Sequence, residues 1–365
     1  MYGNGTVKIL YDHQMFELQR FGGITRYFIE LMSRLSGNLE FSNSIVFNDN
    51  FYLRNADSTF SKGFKIPFFR GAGRLSTIVN RLKSELDIYK GSYDVFHPTY
   101  YHPYFLKRLH KPYVVTVHDM IHERFRDAYS PGDPTCEYKE RVIRNADKII
   151  AISKNTKKDI VDFYGIDEHK IQVVYHGYGN SSGISKIADL PRRYILFVGQ
   201  RNRYKNFNRL LHAFAIVRKK VSDLQLICTG SDFTLQERIL INSLKMNDAI
   251  RSMFVTDSQL NYLYQKAVCF VYPSLYEGFG IPILEAFSEK CPVVLSDASC
   301  FPEIALDGGI YFNPHQIDSI VDALFKIITD DNLRRKKIAR GSEILNNYSW
   351  DKMAMETMSI YRELV

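Results

Sequence analysis

Residues 268–286 read VCFVYPSLYEGFGIPILEA, an apolar run followed by a glycine-containing turn, a proline and a second apolar segment. The opening run has the length and residue types of a β-strand that is buried on both faces. Pro282 suits the first turn of a helix, where the backbone N–H that proline lacks would have no helical partner. Glu277 to Gly280 then form the loop between strand and helix. The stretch therefore predicts a strand–loop–helix segment of a parallel α/β sheet.

Similar segments recur along the whole chain. The predicted strands span residues 7–12, 43–47, 93–98, 112–119, 148–153, 171–177, 194–199, 224–230, 253–256, 268–274, 291–297 and 309–314. Amphipathic stretches separate them, and this alternation predicts an α/β fold with two doubly wound, Rossmann-like parallel sheets that face each other across a cleft. We predict an N-terminal domain over 1–178, a Gly-, Ser- and Asn-rich linker over 179–191 and a C-terminal domain over 192–347. Residues 348–365 form an amphipathic helix, with the N-terminal domain as its candidate packing partner.

The composition narrows the class of protein and its partners. The chain has 365 residues, of which 45% are hydrophobic and 24% are charged, as expected for a soluble protein of about two domains. No apolar window approaches the roughly 20 residues of a membrane span, which predicts a cytoplasmic protein. A net charge of +8 suits phosphate-bearing ligands or an anionic membrane surface. No basic run is interleaved with aromatic residues, which argues against a nucleic-acid partner.

Glu277 and Glu285 flank the predicted helix start. Glycines before a helix N-terminus let backbone N–H groups bind an anion such as a nucleotide diphosphate. Carboxylates repel phosphate, so these two glutamates need partners that donate hydrogen bonds, and sugar hydroxyls meet that need. Each such bond contributes about 1.5–3 kcal/mol. The alternative is a favourable charge at a helix start for Glu285 and a solvated loop position for Glu277.

A second loop follows the predicted strand 194–199. Its sequence, FVGQRNRYKNFNRLLHAF over 197–214, places Gly199 before a basic turn and an amphipathic helix. The cations of this turn are Arg201, Arg203 and Lys205. Lys205 is the first candidate for contact with a diphosphate. Cations opposite a leaving diphosphate neutralise the charge that develops as a glycosidic bond breaks. The alternative is an exposed charged turn.

The N-terminal half contributes two further signals. Gly22 and Gly23 open an amphipathic helix after the first predicted strand, where glycines permit close approach of the backbone to a phosphate or sugar. His118 ends the predicted strand 112–119 and is a candidate for a hydrogen bond to the sugar. The alternatives are a tight turn at the glycine pair and a packing role for the histidine.

No sequence motif indicates a metal site. The chain lacks a Walker loop, an H-E-x-x-H helix and a G-x-S-x-G nucleophile elbow. It also lacks the D-x-D pattern of metal-dependent sugar transferases. The five cysteines form no C-x-x-C pair, which indicates reduced thiols. We therefore expect no metal and no cofactor, with charge neutralised by Arg, Lys and helix ends.

In these motifs the chain resembles glycosyltransferase family 4, retaining enzymes of the two-Rossmann GT-B architecture. The resemblance covers essentially the whole length, and its carriers are EGFGIPILEA (277–286), FVGQRNRYKNF (197–207), VVTVHD (114–119), FGGITRY (21–27) and the closing SW…YREL. HDMIHERF (118–125) together with YKNF (204–207) looks most like the mannosyltransferase-B-like subgroup that builds O-antigen and related surface polysaccharides.

The resemblance implies a role for each candidate residue. Glu285 would bind the ribose and Glu277 the hydroxyls of the donor sugar, while Lys205 with an arginine would hold the diphosphate. The backbone of Phe279, Gly280 and Ile281 would contact sugar and phosphate, Gly23 would approach the phosphates, His118 would lie beside the sugar, and Gly230 and Val255 are candidates near the base. Many family members have an arginine directly after the glycine of the basic loop. Gln200 stands there in this chain, so Arg201 or Arg203 would substitute.

The function implied is metal-independent, retaining transfer of a hexose, with mannose or a related sugar as first candidate. The donor would be a GDP- or UDP-sugar bound by the C-terminal domain over 192–347. The acceptor would be a lipid-linked oligosaccharide at the inner face of the cytoplasmic membrane, with the N-terminal domain over 1–178 on the acceptor side. The alternatives are a nucleotide-sugar epimerase of the same fold and a non-catalytic nucleotide-sugar-binding protein. Residues 64–90 are either a segment that faces the membrane or acceptor, or an ordinary helix with a solvated basic face.

Overall fold

The computed structural model describes residues 6–35, 39–57, 59–66, 71–179, 183–201 and 203–365. Two compact units divide the chain. Unit 1 consists of Met1–Gly177 and Ser349–Val365, and unit 2 consists of Tyr178–Tyr348. Residues 180–182 of the predicted linker and residues 67–70 of the predicted membrane-facing segment lie outside the described residues.

The strands of unit 1 pair only in parallel within its described residues. They are β1 Lys8–Tyr11, β2 Glu40–Asn43, β3 Val95–His97, β4 Val114–Val117, β5 Lys148–Ala151 and β6 Ile171–Val173. Their hydrogen-bonded orders are β2-β1-β3 and β4-β5-β6. A parallel bridge between Phe96 and Tyr113 links the two ladders. The strand order therefore reverses between β1 and β3, which makes that position a topological switch point.

Unit 2 forms one sheet in the order β12-β11-β10-β7-β8-β9, again with parallel pairs. Its strands are β7 Tyr194–Phe197, β8 Gln225–Thr229, β9 Ile250–Met253, β10 Cys269–Tyr272, β11 Val293–Ser296 and β12 Gly309–Phe312. The order reverses between β7 and β10. These sheets confirm the predicted α/β class with two doubly wound parallel sheets.

Helices connect the strands in both units. The α-helices are α1 Gln14–Leu18, α2 Gly23–Leu35, α3 Phe51–Asn55, α4 Ala72–Lys90, α5 Ile121–Arg124, α6 Thr135–Asn145, α7 Lys154–Tyr164, α8 Phe207–Lys220, α9 Leu235–Ser243, α10 Asp257–Lys266, α11 Ile281–Ser288, α12 Phe301–Ala305, α13 Ile317–Thr329, α14 Asp331–Leu345 and α15 Trp350–Arg362. Short 3₁₀ turns lie at Pro103–Phe105, Arg126–Ala128, Glu168–Lys170, Arg203–Lys205 and Leu306–Gly308. Across the described residues, no helix combines the length and apolarity that crossing a membrane requires.

Helix α15 completes the core of unit 1. It packs beside α2 and buries Trp350, Met353 and Tyr361 in that core. The Tyr361 hydroxyl lies 2.8 Å from that of Tyr11 and 2.6 Å from His97 Nδ1. The C-terminal segment is therefore an integral part of the first sheet's packing.

Two strand predictions were misplaced. The prediction 43–47 is wrong because β2 covers Glu40–Asn43, and the Asn80 side-chain oxygen of α4 accepts the N–H groups of Val46 and Phe47 at 2.9 Å each. The prediction 253–256 is wrong because β9 ends at Met253, and Thr256 instead caps α10 by accepting the Gln259 N–H at 3.3 Å. Hydrogen bonds from polar side chains set both strand boundaries, and the spacing of apolar residues contains no information about them.

Candidate active site

An ion pair lies at the switch point of unit 2. Lys205 ends the short turn that follows β7, and Glu277 lies in the loop that follows β10. Because β7 and β10 are neighbours in the sheet, the fold brings these loops together, and the Leu275 N–H donates to the Tyr204 carbonyl at 2.7 Å. The Lys205 Nζ lies 2.5 Å from Glu277 Oε1. Crevices of this kind, at the carboxyl ends of parallel strands, are where open α/β sheets bind ligands.

The ion pair is largely removed from water. Only 14% of the Lys205 side chain and 10% of the Glu277 side chain are exposed. The Lys205 Nζ also lies 5.2 Å from the ring centroid of Tyr204 and 5.5 Å from that of Tyr272. Burial, reinforced by the neighbouring Glu277, raises the pKa of Tyr272 well above its usual value. The site therefore combines a fixed cation, a fixed carboxylate and a neutral phenol, so removing either charge would leave the other buried and unpaired.

The loop from Glu277 to Gly280 is held in one conformation. Gly280 has φ +96°, and a Cβ there would lie 3.1 Å from Ile283 Cδ1 and 3.2 Å from Phe301. Ser299 Oγ donates to the Glu277 carbonyl at 2.6 Å, and Cys300 Sγ donates to the Phe279 carbonyl at 3.0 Å. The loop leads directly into α11, with Pro282 in its first turn. A glycine loop fixed before a helix N-terminus is the arrangement that binds phosphate oxygens.

Glu285 is oriented by a tyrosine of the neighbouring helix. The Tyr264 hydroxyl of α10 donates to Glu285 Oε2 at 3.1 Å. Burial, with the nearby Glu285 charge, raises the pKa of Tyr264 well above its usual value, so the phenol keeps the proton that it donates. Glu285 is therefore a pre-oriented carboxylate on the first turns of α11.

The ends of β7 and β8 approach each other closely. Gly199 and Gly230 have φ values of +104° and +114°. A Cβ on Gly230 would lie 3.1 Å from the Gly199 carbonyl oxygen. Val255 follows the adjacent β9, next to Phe254, which is 91% exposed. These loops share one edge of the sheet with the ion pair, as expected for a single ligand site.

The three basic residues of the second loop do not converge. Arg201 donates from Nε to Glu237 Oε1 at 2.9 Å and from Nη2 to the carbonyls of Ser231 and Asp232 at 2.6 and 2.8 Å. Its side chain is only 3% exposed, whereas Arg203 is exposed. Within the described part of the chain, Arg201 Nη1 is buried without a hydrogen-bond partner. Lys205 alone of the three contacts Glu277, and the role of either arginine at a diphosphate stays a prediction.

Unit 1 brings His118 next to the helix that Gly23 begins. The centroid of the His118 ring lies 5.2 Å from that of Tyr27, which is one turn into α2. At the start of this helix, the Thr25 hydroxyl donates to the Gly22 carbonyl at 2.9 Å. Burial, with smaller contributions from His97 and Lys139, lowers the pKa of His118 to about 3, so its ring is neutral near pH 7. Its Nε2 atom has no hydrogen-bond partner among the described residues.

Both halves of the chain match models of known protein families. Residues 21–179 match Glycosyltransferase Family 4, and residues 185–343 match Glycosyl transferases group 1. The chain is a glycosyltransferase with a family 4 domain and a group 1 domain. This result confirms the resemblance that the loop motifs indicated, and the chain is a glycosyltransferase.

Two curated relatives and the solved structure of another protein agree with that assignment. O-antigen chain mannosyltransferase RfbU of Salmonella typhimurium is 28% identical over 243 residues, which cover 66% of this chain and 66% of that protein. O-antigen chain mannosyltransferase B of Escherichia coli is 27% identical over 376 aligned positions, covering 94% of this chain and 96% of that protein. Anabaena HepE, solved in complex with UDP-glucose, superposes with a TM-score of 0.75 at 15% identity over 98% of this chain and 100% of that one. The two units are therefore Rossmann-like domains of the GT-B class.

Sequence patterns missed the residues that orient the glycosyltransferase's candidate site. Tyr264 donates a hydrogen bond to Glu285, and Ser299 donates one to the Glu277 carbonyl. Glu237 accepts one from Arg201. Each lies more than 20 positions from its partner, and no motif marks it because the contact exists only in the folded chain. Among the residues that the structure describes, no group of three His, Cys, Asp or Glu side chains is placed to hold a metal ion.

Proposed function

We propose that this glycosyltransferase moves a hexose, with mannose as first candidate, from a GDP- or UDP-sugar to a lipid-linked oligosaccharide of a bacterial surface polysaccharide. Transfer would retain the anomeric configuration and need no metal ion. The Lys205–Glu277 pair beside the start of α11 carries the proposal, because it provides anion and hydroxyl recognition at one switch point. The names of the O-antigen relatives support mannose, and UDP-glucose in HepE supports a nucleotide-sugar donor.

The donor is bound by groups that are already in position. The diphosphate lies at the start of α11 and near Lys205, whose charge stabilises the leaving group in the transition state. Glu277 accepts hydrogen bonds from hydroxyls of the transferred sugar, and Glu285 accepts them from the ribose. In unit 1, the neutral ring of His118 stays a candidate for a hydrogen bond to a sugar hydroxyl. Since the side chains are held before the donor arrives, little reorganisation opposes the reaction.

Retention follows from attack on the face that the diphosphate leaves. The bond between the anomeric carbon and the diphosphate oxygen breaks, and the acceptor oxygen bonds to that carbon. The acceptor's proton passes to the departing phosphate oxygen. Glu277 is a positioning group in this scheme. The ion pair with Lys205 holds the Glu277 carboxylate, which binds hydroxyls of the sugar. Retaining glycosidases instead use a close pair of carboxylates, one of them as nucleophile.

Calorimetry with GDP and UDP, followed by a screen of their sugar conjugates for donor hydrolysis, tests the proposal. We expect one nucleotide to bind, slow hydrolysis of its sugar conjugate, and faster turnover when acceptor lipid is added. NMR of the product would show the retained anomer, and EDTA would leave the rate unchanged. Failure of both nucleotides to bind would overturn the proposal. Release of an altered sugar nucleotide without acceptor would identify an epimerase, and binding without turnover a non-catalytic protein.

Helix α4 supports attachment to a membrane surface. Its apolar residues between 47% and 83% exposed are Leu75, Ile78, Leu82, Leu86 and Tyr89. Its inward residues Ser76, Asn80 and Ser84 are at most 1% exposed. The usual arrangement is therefore inverted, with an apolar stripe facing outward at helical spacing. Four basic and two acidic side chains on the same helix favour an anionic bilayer as the surface that covers this stripe.

Vesicle flotation tests this attachment. The protein should float with phosphatidylglycerol-containing vesicles and less with phosphatidylcholine alone. Leu82→Glu with Leu86→Glu should abolish flotation, because both charges would enter the bilayer interface. Leu235→Glu is the matched control, since Leu235 is 74% exposed on α9 of unit 2. Equal flotation of all three proteins would exclude α4 as the attachment surface. Arg70, another residue of the predicted segment, lies outside the described residues.

A further inference from the structure

Arg201 joins two strand-end loops of unit 2. It lies in the loop after β7, and its side chain reaches the loop after β8, which spans residues 230–234. Its Nη2 group donates to the carbonyls of Ser231 and Asp232 at 2.6 and 2.8 Å. Its Nε group donates to Glu237 Oε1 at 2.9 Å. A planar guanidinium presents its N–H groups in fixed directions, whereas lysine carries a single nitrogen on a flexible stem, so these three bonds depend on arginine.

The charge of Arg201 is already balanced inside unit 2. Its side chain is 3% exposed and that of Glu237 is 10% exposed. The guanidinium carbon also lies 4.8 Å from the ring centroid of Phe233 and 5.6 Å from that of Phe207. Moving Arg201 towards a phosphate would leave the Glu237 carboxylate buried and unpaired, which is costly. These contacts favour an arginine that stays on the loop after β8.

Glu237 connects this arginine to the start of helix α9. Its Oε2 accepts the Thr234 N–H at 2.7 Å, and the Thr234 hydroxyl accepts the Glu237 N–H at 3.2 Å. The carboxylate therefore caps α9 with one oxygen and binds Arg201 with the other. The loop after β8 is thus fixed to Arg201 both through its own carbonyls and through the helix that follows it.

The rest of the loop after β8 has little packing. Ser231 and Asp232 are exposed, and Phe233 is partly buried against the core of unit 2. Exposed segments with few buried contacts open locally at low cost in free energy. The bonds that Arg201 makes to the two carbonyls therefore contribute strongly to the conformation of residues 230–234.

The loop after β8 lies within reach of a nucleotide bound at the ion pair. Strand β8 is the neighbour of β7 on the side away from β10. Neighbouring strands are about 4.8 Å apart, so the loop after β8 begins about 10 Å from the loop that carries Glu277. A Cβ on Gly230 would lie 3.1 Å from the Gly199 carbonyl oxygen, so the two loops pack backbone to backbone. A nucleoside diphosphate whose diphosphate lies beside Lys205 is long enough to place its base at the loop after β8.

We propose that Arg201 is a positioning residue for the nucleobase of the donor, an inference that rests on the proposed function. Arg201 and Glu237 hold residues 230–234 so that backbone N–H and C=O groups of this loop meet the edge of the base. Arg201 itself does not contact the diphosphate. A loop that is fixed before binding lowers the entropic cost of binding and rejects a base whose donors and acceptors do not match. The pair therefore contributes to the choice of base.

Calorimetry with GDP, UDP, GMP and UMP on the full chain tests this role, with Arg201→Lys as the first variant. Lysine keeps the positive charge but cannot bind Glu237 and both carbonyls together. Affinities for the diphosphate and the monophosphate of the preferred base should fall by the same factor, roughly tenfold. The preference between GDP and UDP should also narrow. Lys205→Ala should instead weaken binding of the diphosphate more than that of the monophosphate.

Hydrogen exchange without nucleotide measures the loop directly. Peptides that cover residues 230–237 should exchange faster in Arg201→Lys than in the unaltered chain. Glu237→Gln should have the same effect on exchange and on the four affinities. The double variant should bind no more weakly than the weaker of the two single variants, because both substitutions act through one contact.

The control is Arg218→Lys on α8. Arg218 Nη2 lies 2.7 Å from Asp248 Oδ2, so the variant alters another arginine–carboxylate pair of the same unit. Asp248 precedes β9, which places this pair at the opposite edge of the sheet from the candidate site. Arg218→Lys should leave all four affinities and the exchange of residues 230–237 unchanged.

Three results would overturn the inference. They are a selective loss of diphosphate affinity in Arg201→Lys, unchanged affinities in both Arg201→Lys and Glu237→Gln, and unchanged exchange of residues 230–237. Failure of GDP and UDP to bind the unaltered chain would overturn the proposed function and the base role together. Nucleotide binding by the unaltered chain with any of the three results would overturn this inference alone, so the two failures are distinguishable.

Discussion

The switch points of the two units are equivalent in topology but opposite in chemistry. In unit 2, the loops after β7 and β10 meet at the Lys205–Glu277 ion pair beside a helix start. In unit 1, the loops after β1 and β3 line a cavity of about 280 Å³ with aromatic rings, and the Arg81 guanidinium at its wall donates to Glu85. The parallel sheet thus provides a location for a ligand in each unit. The loop sequences decide which side chains line that location and therefore which ligand it suits.

The two sites also differ in how they are held open. Unit 2 depends on backbone geometry, with Gly280 at positive φ and Gly230 packed close to the Gly199 carbonyl. Unit 1 depends on side-chain hydrogen bonds. Buried Asp12 accepts them from the Thr99 N–H, from Gln14 Nε2 and from the Tyr104 hydroxyl. Glycine loops allow a ligand to contact the backbone, whereas a side-chain network presents other side chains.

The largest effect is expected for Lys205→Ala. Losing the cation removes stabilisation of the leaving diphosphate and leaves Glu277 buried without its partner. We expect kcat/KM for the donor to fall by about 10²–10³. Lys219→Ala, at an exposed position on α8, is the control in the same unit. A decrease smaller than tenfold in steady-state assays would mean that the ion pair is structural and that the chemical contrast between the switch points is misread.

Glu285→Gln should weaken nucleotide binding. The substitution removes a carboxylate that Tyr264 already orients for the ribose. A charged hydrogen bond contributes about 1.5–3 kcal/mol, so affinity for the preferred nucleotide diphosphate should fall roughly tenfold or more. Calorimetry measures the change, with exposed Glu343→Gln on α14 as control. Unchanged affinity would remove Glu285 from the donor site while leaving the Lys205 prediction intact.

Acid should weaken unit 1 in particular, because its buried histidines are neutral. Burial lowers the pKa of His97 and of His118 to about 3 each, below the usual 6.5. As pH falls from about 6.5 towards 3, these two histidines bind protons in the unfolded chain but not in the folded chain. Each of these histidines lowers the free energy of unfolding by about 1.4 kcal/mol per pH unit in that window, and stability from this source is complete above it.

Thermal melts from pH 4 to 8 check this dependence. His118→Gln should reduce the slope of melting temperature against pH below 6.5, whereas His110→Gln leaves the buried histidines in place and serves as control. Hydrogen exchange at pH 5 should show peptides of unit 1 losing protection before those of unit 2. The reverse order would contradict the assignment of acid sensitivity to unit 1.

The smallest effect concerns the glycine loop of unit 2. Gly280→Ala places a Cβ at positive φ and against Ile283 and Phe301, while Gly71→Ala, at φ +93°, meets no atom of the described residues within 4 Å. Both substitutions strain the backbone, but only the first also crowds its neighbours. Gly280→Ala should therefore cost about 1 kcal/mol more than Gly71→Ala in chemical denaturation. An equal loss in the free energy of unfolding for both variants would show that the loop after β10 can relax around the added Cβ.

Local sequence patterns predicted the fold and the strand–loop–helix segments well, because continuous segments carry that information. The apolar runs gave the parallel sheets, and YEGFGIPILEA placed its glutamates around the start of α11. Boundaries set by distant polar side chains were missed, as when Asn80 binds the Val46 and Phe47 N–H groups that strand pairing would have used. Such contacts join residues more than 30 positions apart and leave no local signal.

The aromatic cavity of unit 1 and the outward apolar stripe of α4 could not be predicted from the sequence for a related reason. His13, Tyr104 and Tyr138 come from separate elements and share no motif. Apolar residues at helical spacing in α4 normally indicate a buried face, but Ser76, Asn80 and Ser84 occupy that face here. Only the folded chain shows which side of a helix is covered.

The packing of α15 determines the order in which the units can mature during protein synthesis. Trp350, Met353 and Tyr361 fill the core beneath the first sheet, so that core stays incomplete until residues 350–361 have emerged from the ribosome. Unit 2 is a single uninterrupted stretch, Tyr178–Tyr348, and has already emerged by then. Domains generally fold as units during translation. The second unit along the chain should therefore complete its core before the first unit does.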